Sequence, residues 1–169
     1  DLQRSISPAV DARALSAMRR IITMVNPDIV HTHSTKAGLL GRLAAKLEGR
    51  PVIHTAHAWS FSDGLSRRRK ALAIPAEALA GRFTRRFIVV SAADREIALR
   101  YRVAQDTQVR IIHNGVVDVD ERAQPGEGSP PIVAMVARMA APKDHGLLLR
   151  ALAGVSAPFR LWLIGDGPD

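Results

Sequence analysis

The chain has 169 residues, 47% of them hydrophobic, which is enough for a packed core and excludes a disordered polypeptide. Its formal net charge of +8, from 24 Lys and Arg against 16 Asp and Glu, favours phosphate, anionic lipid or nucleic acid as partners without choosing among them. The lack of cysteine excludes disulfides and thiolate metal sites, and the longest uncharged apolar stretch, Pro51 to Ser62, falls short of the roughly 20 residues of a spanning helix.

Ser7 and Pro8 read as an N-cap and first-turn pair, with Asp11 in the first turn. Val10, Ala14, Met18, Ile21 and Val25 follow at helical spacing until Asn26-Pro27 stops the helix. Asp28 to Val30 is a short apolar run, Lys36 to Glu48 carries Leu39, Leu40, Leu43 and Leu47, and Val52 with Ile53 opens the next run. This is a βαβ unit. Open parallel sheets bind ligands beyond the carboxyl ends of their strands, where His31, His33, Ser34, His54 and His57 fall. An irregular polar segment around Ser60 to Gly64 leads into a basic helical run from Ser66 to Arg85, which Pro75 should kink or divide. Phe87 to Val90 reads as a strand, Ala92 to Tyr101 as a helix, and Val109 to Ile112 as a strand ending at His113-Asn114-Gly115. Such alternation with short connections points to an α/β fold with a doubly wound parallel sheet.

From Asp118 to Pro131 the chain is polar, acidic and rich in glycine and proline, as a linker would be. Beyond it, Ile132 to Ala137 is expected as a strand, Pro142 to Leu152 as a helix, and Leu161 to Ile164 as a strand ending in Gly165-Asp166-Gly167-Pro168. Two strands and one helix leave apolar faces uncovered, so the expectation is a chain truncated at both ends. The amino end also lacks an initiator methionine and the pattern of a signal peptide.

Arg138 and Lys143 lie between a strand end and a helix start, the outline of an anion site suited to a diphosphate. Charge-assisted contacts there are worth about 1.5 to 3 kcal/mol each, though ordinary solvated surface residues would leave the same trace. Gly165 to Pro168 would let a ligand approach the backbone or be a plain turn, and Asn114-Gly115 carries the same two readings. The histidines admit a metal site, a contact to substrate, or a structural hydrogen-bonded role. No Asp, Glu or Cys stands at a spacing that completes a coordination shell, which leaves metal the weakest of the three. His57 is the strongest substrate candidate, beside Trp59 and Phe61, whose rings would wall a sugar or lipid headgroup. Arg67, Arg68, Arg69, Lys70, Arg82, Arg85 and Arg86 face a single acid, Glu77, with Leu72, Ile74, Leu79 and Phe83 between them. They suit an anionic membrane, or else a solvated helix face packed on the sheet. Nucleic acid would want aromatic platforms, and 4% aromatic content argues against it.

In combination, PDIVHTHSTKAGLLGRLAA, VIHTAHAWSF, FIVVSAADRE, VRIIHNGV, IVAMVARMAAPKDHGLLLRAL and LWLIGDGPD resemble successive landmarks of the GT-B glycosyltransferases of the retaining group called family 4, or group 1. The resemblance implies two Rossmann-like domains, both sheets incomplete here. Residues 1–120 would be part of the acceptor-side domain, 121–131 the interdomain linker, and 132–169 the start of the donor domain. It further implies retaining transfer of a sugar from a nucleotide donor, a UDP-sugar, to a cell-envelope polysaccharide or lipid-linked acceptor at the cytoplasmic membrane face. No metal or other cofactor is implied, since the nucleotide-sugar is a substrate. Arg138 and Lys143 match the basic pair that holds the donor diphosphate. His57 falls where the family often has a histidine near the acceptor and the reacting sugar, although Ala58 follows it where glycine is frequent. His33, Ser34, Asn114, Gly165 and Gly167 are then expected to line the cleft. The family's glycine-rich loop would lie upstream and its glutamate pair downstream, so this piece alone is expected to be inactive. The rival expectations are a nucleotide-sugar epimerase of the same architecture and a non-enzymatic, basic, peripheral membrane-binding module.

Overall fold

The computed structural model describes residues 7–61, 66–120, 130–141 and 143–168. The expected first-turn Pro142, Gly64 of the polar segment, most of the linker and the side chain of Arg69 lie outside the described residues. The chain divides into two compact units, Asp1–Val116 and Val117–Asp169.

In the first unit, helices α1 (Pro8–Val25), α2 (Thr35–Leu47), α3 (Arg67–Gly81) and α4 (Ala92–Arg100) alternate with strands β1 (Val30–His33), β2 (Val52–Ala56), β3 (Arg86–Val89) and β4 (Val109–Ile111). The strands form one parallel sheet in the order β1-β2-β3-β4. Register places Val30 opposite Val52, Thr32 opposite His54, His54 opposite Phe87, and Phe87 opposite Val109, so these side chains share one face. Against that face, Ala98 of α4 packs in one cluster with Phe87, Val89 and Val109, joined by Ala73 and Ile74 of α3. Ala44 and Ala45 of α2 and Ile22 of α1 pack with Val52 in a second. All four helices therefore lie on one side: successive right-handed crossovers in one direction require it of α2, α3 and α4, and Ile22 packs α1 there beside α2. The opposite face presents His31, His33, Ile53, Thr55, Ile88 and Arg110.

Several local expectations shift. The Ser7 hydroxyl does not cap α1; instead Asp11 accepts the Ser7 N–H at 3.1 Å, and Asn26 ends the helix in a left-handed conformation, φ 50°. Ile22, with Leu15 and Met18, faces the core, while Ile21 and Val25 are exposed. Apolar residues stand on both adjoining stripes of α1, and packing on α2 selects between them. In α2 the buried positions are Gly38, Gly41, Arg42, Ala44 and Ala45, whereas Leu43 and Leu47 are exposed. The helix lies so close to the sheet that a Cβ on Gly41 would come within 2.9 Å of Thr32 Cγ2. Strand β1 starts at Val30, two residues later than the expected run, so His31 and His33 sit within it. Pro75 does not divide α3. It lies on the exposed side, where water can serve the carbonyl it leaves unbonded, while Ile74 and Glu77 anchor the helix inward.

In the second unit, β5 (Ile132–Val136) and β6 (Arg160–Ile164) pair in parallel, from Ile132 opposite Arg160 to Val136 opposite Ile164. Helix α5 spans His145–Leu152 and starts three residues later than expected, because the Asp144 carboxylate caps it by accepting the Leu147 N–H at 2.7 Å.

Candidate active site

The carboxyl ends of β1 and β2 bring four histidines together, and the structure gives them different tasks. His54 points into the helix-covered core, 2% exposed. Its Nδ1 lies 2.9 Å from Thr32 Oγ1, whose hydroxyl donates to Ile53 O at 3.3 Å, so His54 Nδ1 is the donor of that pair. Burial, reinforced by the Arg42 cation, pulls its pKa down to about 3. Gly38 is glycine for this ring, since a Cβ there would stand 2.6 Å from His54 Cε1. His54 is thus a neutral structural histidine, although part of its ring also borders the cavity beside His57.

His31 and His33 project from the other face of β1, their rings 4.4 Å apart. His31 Nε2 meets Thr55 Oγ1 at 2.8 Å, and burial, then the neighbouring His33, lowers its pKa. His33 Nδ1 lies 3.3 Å from His57 Nε2, with the two rings stacked at 5.5 Å. That contact needs one donor and one acceptor, so the pair keeps it with at most one imidazolium. Among the described residues no three metal-ligating side chains converge.

Beside His57 opens a cavity of about 290 Å³ whose polar wall includes Ser34, Ser60 and Glu77. Ser34 takes φ 59°, ψ 169°, a region normally left to glycine, and its hydroxyl makes no capping bond to α2. The Ser60 hydroxyl oxygen is buried with no hydrogen-bond partner among the described residues. Glu77 is 2% exposed and meets Arg42, itself fully buried, at 2.5 Å; Arg42 Nε also donates to Gly38 O at 3.0 Å. Burial pushes the Glu77 carboxyl above its usual range against the pull of Arg42. The expected aromatic wall is only half present. Phe61 is fully buried in the core, and Trp59, stacked on it at 5.6 Å, donates its indole N–H to Asp94 O at 2.8 Å and reaches the cavity with one side.

The remaining predicted residues fall elsewhere. Asn114 follows β4 in exposed chain, forms no turn and does not line the cavity. Arg138 and Lys143 lie in the second unit, both exposed, in the connection from β5 to α5. The helix amino terminus beside Lys143 already carries the Asp144 carboxylate, which weakens the expected anion site at the helix itself and leaves the two cations as its attraction. At Gly165 and Gly167 the neighbouring backbone itself requires glycine: added Cβ atoms would stand 1.9 Å from Ala137 O and 2.0 Å from Met139 O. The loops after β5 and β6 are pressed together there, and the Met139 N–H bonds Asp166 O at 2.9 Å. Sequence reasoning passed over Arg42, Ser60 and the inward role of Glu77. The available signal was Gly38-x-x-Gly41-Arg42, small residues marking a tightly buried helix face that carries one charge, opposite a lone acid in a basic run.

Residues 4–120 match the sequence profile of Glycosyltransferase Family 4. The chain is 35% identical over 116 residues to the UDP-Gal:alpha-D-GlcNAc-diphosphoundecaprenol alpha-1,3-galactosyltransferase of Escherichia coli, covering 68% of this chain and 30% of that protein. It is 30% identical over 142 residues to the D-inositol 3-phosphate glycosyltransferase of Streptomyces avermitilis, covering 79% of this chain and 28% of that protein. Among solved structures, Anabaena HepE in complex with UDP-glucose superposes with a TM-score of 0.66 at 19% identity, covering 92% of this chain and 43% of that one. The chain spans less than a third of the length of these two curated relatives.

Proposed function

Because this chain belongs to Glycosyltransferase Family 4, we propose that it is part of an enzyme that moves a sugar from a UDP-sugar to a cell-envelope polysaccharide or lipid-linked acceptor, with retention at the anomeric carbon. The observation that carries the reading is the likeness to the Escherichia coli galactosyltransferase, whose donor is UDP-Gal and whose acceptor sugar is borne on diphosphoundecaprenol. In this reading residues 1–120 belong to the acceptor side and 132–169 to the donor side, joined by the linker 121–131. No described helix is long and apolar enough to cross a membrane, and the proposed workplace is the cytoplasmic membrane face.

The chemistry assigns each group a task. Sugar hydroxyls both donate and accept, which suits a cavity offering the Ser60 hydroxyl, the Glu77 carboxylate and the imidazole of His57. His57 would touch the reacting sugar, and His33 would hold its ring through the 3.3 Å contact. Arg138 and Lys143 would meet the diphosphate, whose negative charge grows as the bond to the anomeric carbon breaks; losing such a stabilising donor costs roughly 10²–10³ in rate.

The test uses the full-length enzyme with UDP-galactose and a lipid-linked acceptor. UDP should appear only when the acceptor is present, and NMR of the product should show the anomeric configuration of the donor. Donor epimerised without any acceptor would refute transfer in favour of the epimerase.

A further inference from the structure

A second hollow, of about 1040 Å³, opens at the amino-terminal ends of β3 and β4, the pole of the sheet away from His57. Among the described residues four arginines line it, Arg82, Arg85, Arg86 and Arg102, and no acid does. Glu77, the one acid of α3, is turned inward to Arg42, and Asp106, next in sequence to Gln105 of the hollow's wall, is paired with Arg95. The cations therefore face outward without compensation from either carboxylate.

Pro75 and Leu79 of α3 form the apolar side of the same hollow. Arg68, Leu72, Leu79 and Arg82 stand at helical steps of four, seven and three, on one face, and the two leucines are 77% and 59% exposed. Arg102 adds a second sign of purpose. It closes α4 with φ 54°, its N–H bonding Leu99 O at 3.0 Å while the Val103 N–H bonds Ala98 O at 2.9 Å. That closure favours glycine, yet a strained arginine occupies it and points its charge at the hollow.

We propose that this hollow and the Leu72–Leu79 stripe of α3 dock the protein on an anionic phospholipid surface. The guanidinium groups take lipid phosphates and the leucines enter the interface beside them. Mixed chemistry favours a lipid over a soluble anion, because a free phosphate would have no use for an apolar stripe. The basic run is also sorted by this geometry: Arg67 lies roughly 22 Å along the helix from Arg82, so the docking cations are Arg82, Arg85 and Arg86 with Arg102. The proposal does not depend on sugar transfer.

Cosedimentation of the full chain with phosphatidylcholine vesicles, with and without phosphatidylglycerol, tests it. Binding is expected only with phosphatidylglycerol and should weaken as salt rises. Each arginine lost from the hollow should lower the partition about fivefold, so Arg82→Ala with Arg102→Ala loses most of it. Arg82→Lys with Arg102→Lys should keep most of it, and Leu72→Ser with Leu79→Ser should weaken what survives at higher salt. Circular dichroism of each variant checks that the fold is intact. Equal binding to both vesicles, binding to neither, or binding unmoved by the alanine pair would overturn the proposal. Release by millimolar inorganic pyrophosphate at constant ionic strength would mark a soluble-anion site instead, and would overturn it too.

Discussion

The Arg42–Glu77 pair offers the most direct test of how the cavity beside His57 is held. Both side chains are almost wholly removed from water, 0% and 2% exposed, and meet at 2.5 Å. Two charges taken out of water each carry a desolvation cost of several kcal/mol, which their mutual attraction and the Arg42 bond to Gly38 O must offset. Deleting one partner leaves the other charge buried and alone, so Glu77→Ala should lower stability by about 3–5 kcal/mol. Arg42→Ala should cost at least as much, since it also frees the Gly38 carbonyl and removes contact with the Phe87 ring, 5.9 Å from the guanidinium. Replacing both by apolar residues, Arg42→Met with Glu77→Leu, should cost less than either deletion, because no orphan charge remains. Urea titration followed by Trp59 fluorescence reads the first unit once Trp162 is replaced by phenylalanine in every variant. A loss below about 1 kcal/mol for Glu77→Ala, the range of exposed pairs, would refute the reasoning, and so would a double variant worse than both singles.

His54 gives a pH signature. Its folded pKa of about 3 lies below the ordinary 6.5, so its contribution is fully present above pH 6.5 and is lost as pH falls toward 3. At about 1.4 kcal/mol per pH unit this window is worth up to about 5 kcal/mol, and His54→Gln should flatten that part of the stability curve; parallel curves for the two proteins would exclude the assignment. Arg102→Gly should raise stability by about 0.5–1 kcal/mol in the same titration, by relieving a left-handed backbone that costs an ordinary residue about 1–2 kcal/mol. Arg138→Ala and Lys143→Ala in the full-length enzyme should each weaken UDP binding by about 1.5–3 kcal/mol in calorimetry, and unchanged affinity in both would remove their diphosphate role.

The elements themselves were legible because strands and helices of this kind announce themselves by apolar runs and turn residues. Every expected strand and helix among the described residues is present, its ends displaced by at most four residues. Which face of a helix is buried was far less legible. The leucines of α2 drew attention, yet Gly38, Gly41, Ala44 and Ala45 are the residues pressed to the sheet. A sheet of short strands with a histidine in its core demands a close helix, and closeness selects small side chains over apolar ones. His57 stands out in the sequence by its aromatic neighbours, but the task of His54, three residues before it, is not legible there. Strand alternation separates them only once the end of β2 at Ala56 is known, because His54 is then an inward residue of the strand and His57 lies beyond it.

The deeper limit concerns groups that acquire meaning by meeting. Arg42 and Glu77 lie 35 residues apart, and Ser60 is unremarkable until its hydroxyl is seen buried without a partner among the described residues. Glu77, counted as the one acid in a basic stretch, argues for a weakly neutralised surface. Once it is turned inward, that surface is stripped of its only internal counter-charge and the cavity beside His57 acquires a carboxylate. One rotation of α3 thus decides both poles of the unit. It sets a polar wall at the carboxyl ends of the strands and leaves Leu72, Leu79 and the arginines facing out at the other. A change that loosened the Arg42–Glu77 contact would therefore be felt at both, whereas a change confined to Arg82 or Arg102 should leave the cavity as it is.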